Sequence, residues 1–225
     1  SRTLSSDGAL AAAIYGIAAY MVLIASQVAM QTELRTLWLL LSLPRPLADS
    51  LRVKGFIWGA VAALLVLVLS TGTLVMKPDL AHGLLYRLPF ILVLVALLAD
   101  LSVGIRTMGS SIVSETTVHF RQWSNWMPLL LSAGAGQAVF AGDVWMLSVQ
   151  LVLLGSLDVS VWQKLNAELP WLTEPAEDPP PRLYLMHGLL AAYGYFVLQT
   201  LFAVVFAATG NNAGAALPFA SGIAT

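Results

Sequence analysis

Uninterrupted apolar runs long enough to cross a bilayer constrain this chain more than any other feature. Residues 55–76 form the clearest one, 22 positions without an ionisable side chain. A run of about 18 or more such residues is the length of a transmembrane helix. Residues 9–30, 84–105 and 183–208 read the same way. Two shorter runs, 126–141 and 144–162, are separated only by Gly142 and Asp143, which predicts a tight hairpin of two helices. The expected fold is therefore all-α: a polytopic transmembrane helix bundle of about six spans. The number falls to five if the fourth and fifth helices form a broken or re-entrant pair.

Composition agrees. The 225 residues are 58% hydrophobic and 10% charged, where a soluble domain carries about 25% charge. That is too little to cover a water-facing surface. The net charge of -1 gives no reason to expect nucleic acid as a partner. The absence of cysteine excludes disulfides, thiolate metal sites, Cys-ligated clusters and cysteine nucleophiles.

The chain reads as a single membrane domain over 1–225. The first apolar run reads as a retained helix, since no cleavage-site pattern ends it. Between the first and second spans, residues 34–43 look like an interfacial helix, stopped by Pro44 and Pro46. Arg52 and Lys54 fall just before the second span. Residues 110–123 look like a second interfacial helix, partly amphipathic through Ile112, Val113, Val118, Phe120 and Trp123. Residues 163–182, proline-rich and acidic, read as an exposed loop with polyproline character. Residues 209–225 read as an extended tail of small residues.

Lys and Arg concentrate on the cytoplasmic side of membrane proteins. With six spans, Arg35, Arg45, Arg52, Lys54, Arg106, Arg121, Lys164 and Arg182 share one side. Arg2, Lys77 and Arg87 lie on the other. This predicts a multi-pass protein of the cell membrane with both termini on the non-cytoplasmic side.

Ionisable groups inside apolar runs are costly and often functional. Asp100 lies in the last third of the third run and Asp158 near the end of the fifth, on the same side of the membrane. They are candidates for a shared proton or cation pathway, or each pairs with Arg106 or Lys164 at the boundary. Arg87, about one turn inside the third span, either snorkels to the interface or faces a ligand or subunit. Gln27, Gln137, Gln150 and Gln199 suit hydrogen bonds between helices.

His82, His119 and His187 are candidate ligand or cofactor contacts. A bis-histidine haem needs two imidazoles at one depth on facing helices, and no pair of the three is matched in depth. A single axial ligand stays open, so the cofactor is unassigned and no metal site is expected. Gly55 and Gly59 form a GxxxG spacing, the mark of close helix packing. Trp38, Trp58, Trp123, Trp126, Trp162 and Trp171 fall at helix ends, as an interfacial aromatic belt would.

The chain has no HExxH, GxSxG or Walker A motif. The first expectation is a membrane subunit of a larger assembly, without a catalytic motif of its own, partnered by other membrane subunits or by copies of itself. The alternative is a small transporter or channel for protons, metal ions or small solutes, working through the intramembrane aspartates. A cofactor-binding membrane enzyme or cytochrome is the third.

Overall fold

The structure is a computed structural model and describes residues 2–35, 47–114, 117–168 and 193–194. Among the described residues five long helices carry the fold: α1 (Arg2–Arg35), α2 (Leu47–Met76), α3 (Ala81–Met108), α4 (Gln122–Ala141) and α5 (Val144–Glu168). Four of them, α1, α2, α3 and α5, are long and apolar enough to cross a membrane. The α4 helix is shorter and more polar. At 1.5 Å per residue its 20 residues still measure about 30 Å. It runs antiparallel beside α1, from Asn125 near Leu23 to Phe140 against Gly8. Successive helices alternate in direction. One end of the bundle therefore gathers the start of α2 and the ends of α3 and α5. The other end carries the turn at Gly142.

The bundle is packed as lipid requires. Large apolar side chains point outward: Leu64, Val68, Trp145 and Val152 are each more than 60% exposed. The interior is built from smaller groups as well as leucines, including Ala11, Ala18 and Ala19 of α1 and Gly134, Ala135 and Ala138 of α4. In hydrocarbon the hydrophobic effect does not draw helices together, so close backbone approach and polar contacts must do it. Several hydroxyls in the spans donate to carbonyls of their own helices. Thr71 donates to the Leu67 carbonyl at 2.8 Å, Thr73 to Ser70 at 2.8 Å and Ser160 to Ser156 at 2.8 Å.

The connections follow from local chemistry. Lys77 N–H closes α2 on the Thr73 carbonyl, and Pro78–Leu80 makes one 3-10 turn before α3. Gly142 ends α4 with φ +67°, a left-handed conformation that glycine adopts without strain. The Asp143 carboxylate then accepts from the Trp145 N–H at 3.2 Å and caps α5. The expected tight hairpin at these two residues is present.

Two readings need correction. Residues 110–123 are not an interfacial helix. Ser110–Ser114 and Thr117–Phe120 pair as antiparallel strands β1 and β2, with Ser110 opposite Phe120 and Ile112 opposite Val118. Ile, Val and Thr at these positions favour the extended chain, and helix resumes only at Gln122. The helices also reach further than the apolar runs. α2 begins at Leu47, so Arg52 and Lys54 lie within its first turns, and α5 continues to Glu168, through the first residues of the expected loop. The rest of that loop, most of the expected interfacial segment 34–43, the tail 209–225 and nearly all of the expected sixth span lie outside the described residues. Of that span, Tyr193 is buried and its hydroxyl donates to the Leu131 carbonyl of α4.

Candidate functional site

The bundle brings Asp100 and Asp158 together. Asp100 on α3 and Asp158 on α5 are 3% and 4% exposed, and their side chains interact with each other and with Trp162. One oxygen of each carboxylate, Oδ1 in both cases, has no hydrogen-bond partner among the described residues, and neither has the Trp162 indole N–H. The group is assembled from two helices and lies about 12 Å from the end of α3, eight residues before Met108.

The cation facing them is Arg52. Its Nε donates to Asp100 Oδ2 at 3.4 Å, and its charge acts on both carboxylates. The guanidinium also stands 5.7 Å from the Phe56 ring centroid and 5.7 Å from that of Trp162, within the range of a cation–π contact. The pair is lopsided: the arginine side chain is 44% exposed and the aspartate 4%. Coulomb attraction is weakened by water on one side while the carboxylate has lost most of its hydration.

Gly55 and Gly59 make this approach possible. A Cβ on Gly55 would lie 2.5 Å from Asp100 Oδ1, and one on Gly59 would lie 3.3 Å from Ala96 Cα. The GxxxG face of α2 is thus the face laid against α3 at the aspartate. One turn further along α3, Gly104 admits Val161 of α5, whose Cγ1 a glycine Cβ would meet at 2.7 Å.

A cavity of about 350 Å³ opens beside the cluster, lined by Arg52, Phe56, Leu92, Val93, Ala96, Leu97, Asp100 and Asp158. Its charged groups sit at one end and its remaining wall is apolar. Phe56 and Val93, 58% and 48% exposed, form its outer lip.

The other charged candidates lie elsewhere. Arg106 does not pair with Asp100. It crosses to α4 and α1, donating to Asn125 Oδ1 at 3.1 Å and to the Leu23 carbonyl at 3.1 Å. Arg87 sits at the far end of α3, 4% exposed, donating to the Gly83 carbonyl at 3.2 Å and packed on Gly142. His82 is in the first turn of α3 and His119 in β2, beyond the helix's other end. The length of α3, about 42 Å for 28 residues, lies between their backbones. His187 lies outside the described residues. No group of three or more metal-ligating side chains occurs among the described residues. The expected interhelical bond of Gln150 is missing there too. The residue is fully buried, and neither its amide oxygen nor its nitrogen has a partner among the described residues.

In the sequence Arg52 bears only on orientation and Trp162 only on the aromatic belt. In fact Trp162 is 3% exposed. The spacing held a signal for the arginine. Arg52, Gly55 and Gly59 recur at three and four residues, which places a cation on the helix-packing face.

Comparison with protein-family models, curated proteins and solved structures finds no match for this chain.

Proposed function

We propose that this multi-pass membrane protein is a small transporter that binds a proton or a monovalent cation at Asp100 and Asp158. The observation that carries the reading is charge: among the described residues, two buried carboxylates from different helices face the guanidinium of Arg52. With both ionised, the cluster keeps one surplus negative charge. Low-dielectric surroundings make that state expensive unless a proton or cation balances it. A group that alternately holds and releases one positive charge inside a bilayer is what a coupled transporter needs. This raises the transporter above a motif-less subunit. Partner subunits or a second copy would pack on the outer apolar faces, that of α2 above all.

The reading includes six spans, the last within 183–208, with the Arg52 end of the bundle toward the cytoplasm. Arg52, Lys54, Arg106, Arg121 and Lys164 all belong to helices or connections at that end, as positive charges do on cytoplasmic sides.

The test is proton movement in proteoliposomes holding the purified full chain under an imposed pH gradient. A panel of inorganic and organic monovalent cations is supplied as the exchanging species. Wild type should exchange protons for at least one of them, and Asp158→Asn should not. Proton movement equal in both, or absent in wild type for every cation, would sink the reading.

A further inference from the structure

We infer that the cavity beside Asp158 takes a lipophilic organic monocation, drawn from the bilayer between α2 and α3. This rests on the transporter reading and names its substrate class. A small inorganic cation is held by a shell of about six or more oxygen ligands. Here two carboxylates and the Arg52 that partners Asp100 stand at one end, and the rest of the wall is Phe56, Leu92, Val93, Ala96 and Leu97. Such a wall desolvates an ion and returns nothing to a hard one. It matches a cation that carries its own apolar bulk.

Arg52 shows what kind of cation the site accepts. The guanidinium, planar and weakly hydrated, lies against Asp100 Oδ2 and 5.7 Å from each of two aromatic rings. It already behaves as a cation held by carboxylate and π-faces together. One charge beyond it stays unmatched. Asp158, 4% exposed, lines the cavity, and its Oδ1 has no hydrogen-bond partner among the described residues. The volume of about 350 Å³ is within the usual range for small-molecule sites, roughly 300–1,000 Å³. The lip at Phe56 and Val93 is on the outer surface of the bundle, so an amphiphilic cation dissolved in the membrane reaches the site without crossing water. Charge balance follows: the cation enters as one proton leaves a carboxyl for water, and the cluster's net charge does not change.

The experiment uses tetraphenylphosphonium and the full chain in nanodiscs of zwitterionic lipid, by calorimetry in weak buffer. The variants are wild type, Asp158→Asn, Phe56→Ala and Phe56→Tyr, with thermal midpoints recorded for each. Saturable binding to wild type is expected, with about one proton released per cation. Phe56→Ala should weaken it three- to tenfold, Phe56→Tyr should restore it, and Asp158→Asn should remove both binding and proton release. Uptake that does not saturate, or that is equal in wild type and Asp158→Asn, is partition into lipid and overturns the proposal. If wild type exchanges protons for an inorganic cation in liposomes but does not bind tetraphenylphosphonium, the substrate class is wrong and the transporter reading stands. If it does neither, both fall.

Discussion

Gly55 and Asp100 touch where α2 crosses α3: a methyl group on the glycine would lie 2.5 Å from Asp100 Oδ1 and 2.9 Å from Asp100 Cα. Backbone stands on both sides of that contact, so it cannot be relieved by a rotamer change. Gly55→Ala must push the helices apart and pull Arg52 from its carboxylate. Overpacking of this kind costs about 1–3 kcal/mol. The thermal midpoint in detergent should fall clearly. Gly16→Ala is the control, since nothing lies within 4 Å of the added methyl, and alanine there should leave the midpoint unchanged or slightly raised.

Gly142 serves two purposes at once. Its φ of +67° disfavours any residue with a Cβ, and a Cβ there would strike the Arg87 guanidinium. Gly142→Ala should therefore destabilise by more than the left-handed conformation alone, about 1–2 kcal/mol. Combining it with Arg87→Met, which removes the rigid planar group, should recover part of the loss. Equal midpoints for the single and double variants would show that the arginine does not crowd the turn.

Arg106 ties α3 to α1 and α4 through the Leu23 carbonyl and Asn125 Oδ1. Lysine keeps the charge but offers a single point of donation rather than a fork. Arg106→Lys should lower stability by roughly 1.5–3 kcal/mol, the contribution of a hydrogen bond made by a charged group. A midpoint matching wild type would contradict this.

Arg52 is the cation of the candidate site, and its loss leaves Asp100 buried without it. Breaking a fully buried pair from one side costs about 3–5 kcal/mol. The exposed arginine reduces that here to roughly 1–3 kcal/mol. Arg52→Gln should destabilise, and the double variant Arg52→Gln with Asp100→Asn should be more stable than the single one. A double-mutant cycle with no coupling would mean that the 3.4 Å contact contributes nothing.

How much of this was legible beforehand depended on the length scale of the signal. Apolar runs such as 55–76 located the spans, because hydrocarbon accepts nothing else over that length. The helix ends were misplaced, since Arg52 and Lys54 are polar yet helical, and a rule based on apolarity stops short of them. Over 110–123 the scattered apolar positions suggest a helix, but the β-branched Ile112, Val113, Thr117 and Val118 favour the extended chain, and the β1–β2 hairpin forms. Asp100 and Asp158 stood out individually as charges in lipid. Their meeting depends on Gly55, Gly59 and Gly104 setting how closely α2, α3 and α5 approach. That is a relation between helices, which no single run displays.

The central claim is that Asp100 and Asp158 share one positive charge beyond that of Arg52. Infrared difference spectroscopy of the purified protein at neutral pH, free of other binding cations, tests it most directly through the carbonyl stretch of a protonated carboxylic acid. Wild type should show one such band, shifting in deuterium oxide. Asp158→Asn and Asp100→Asn should each remove it, because a lone carboxylate beside Arg52 has no surplus charge to neutralise. A spectrum without the band, or a band that survives both substitutions, would contradict the account.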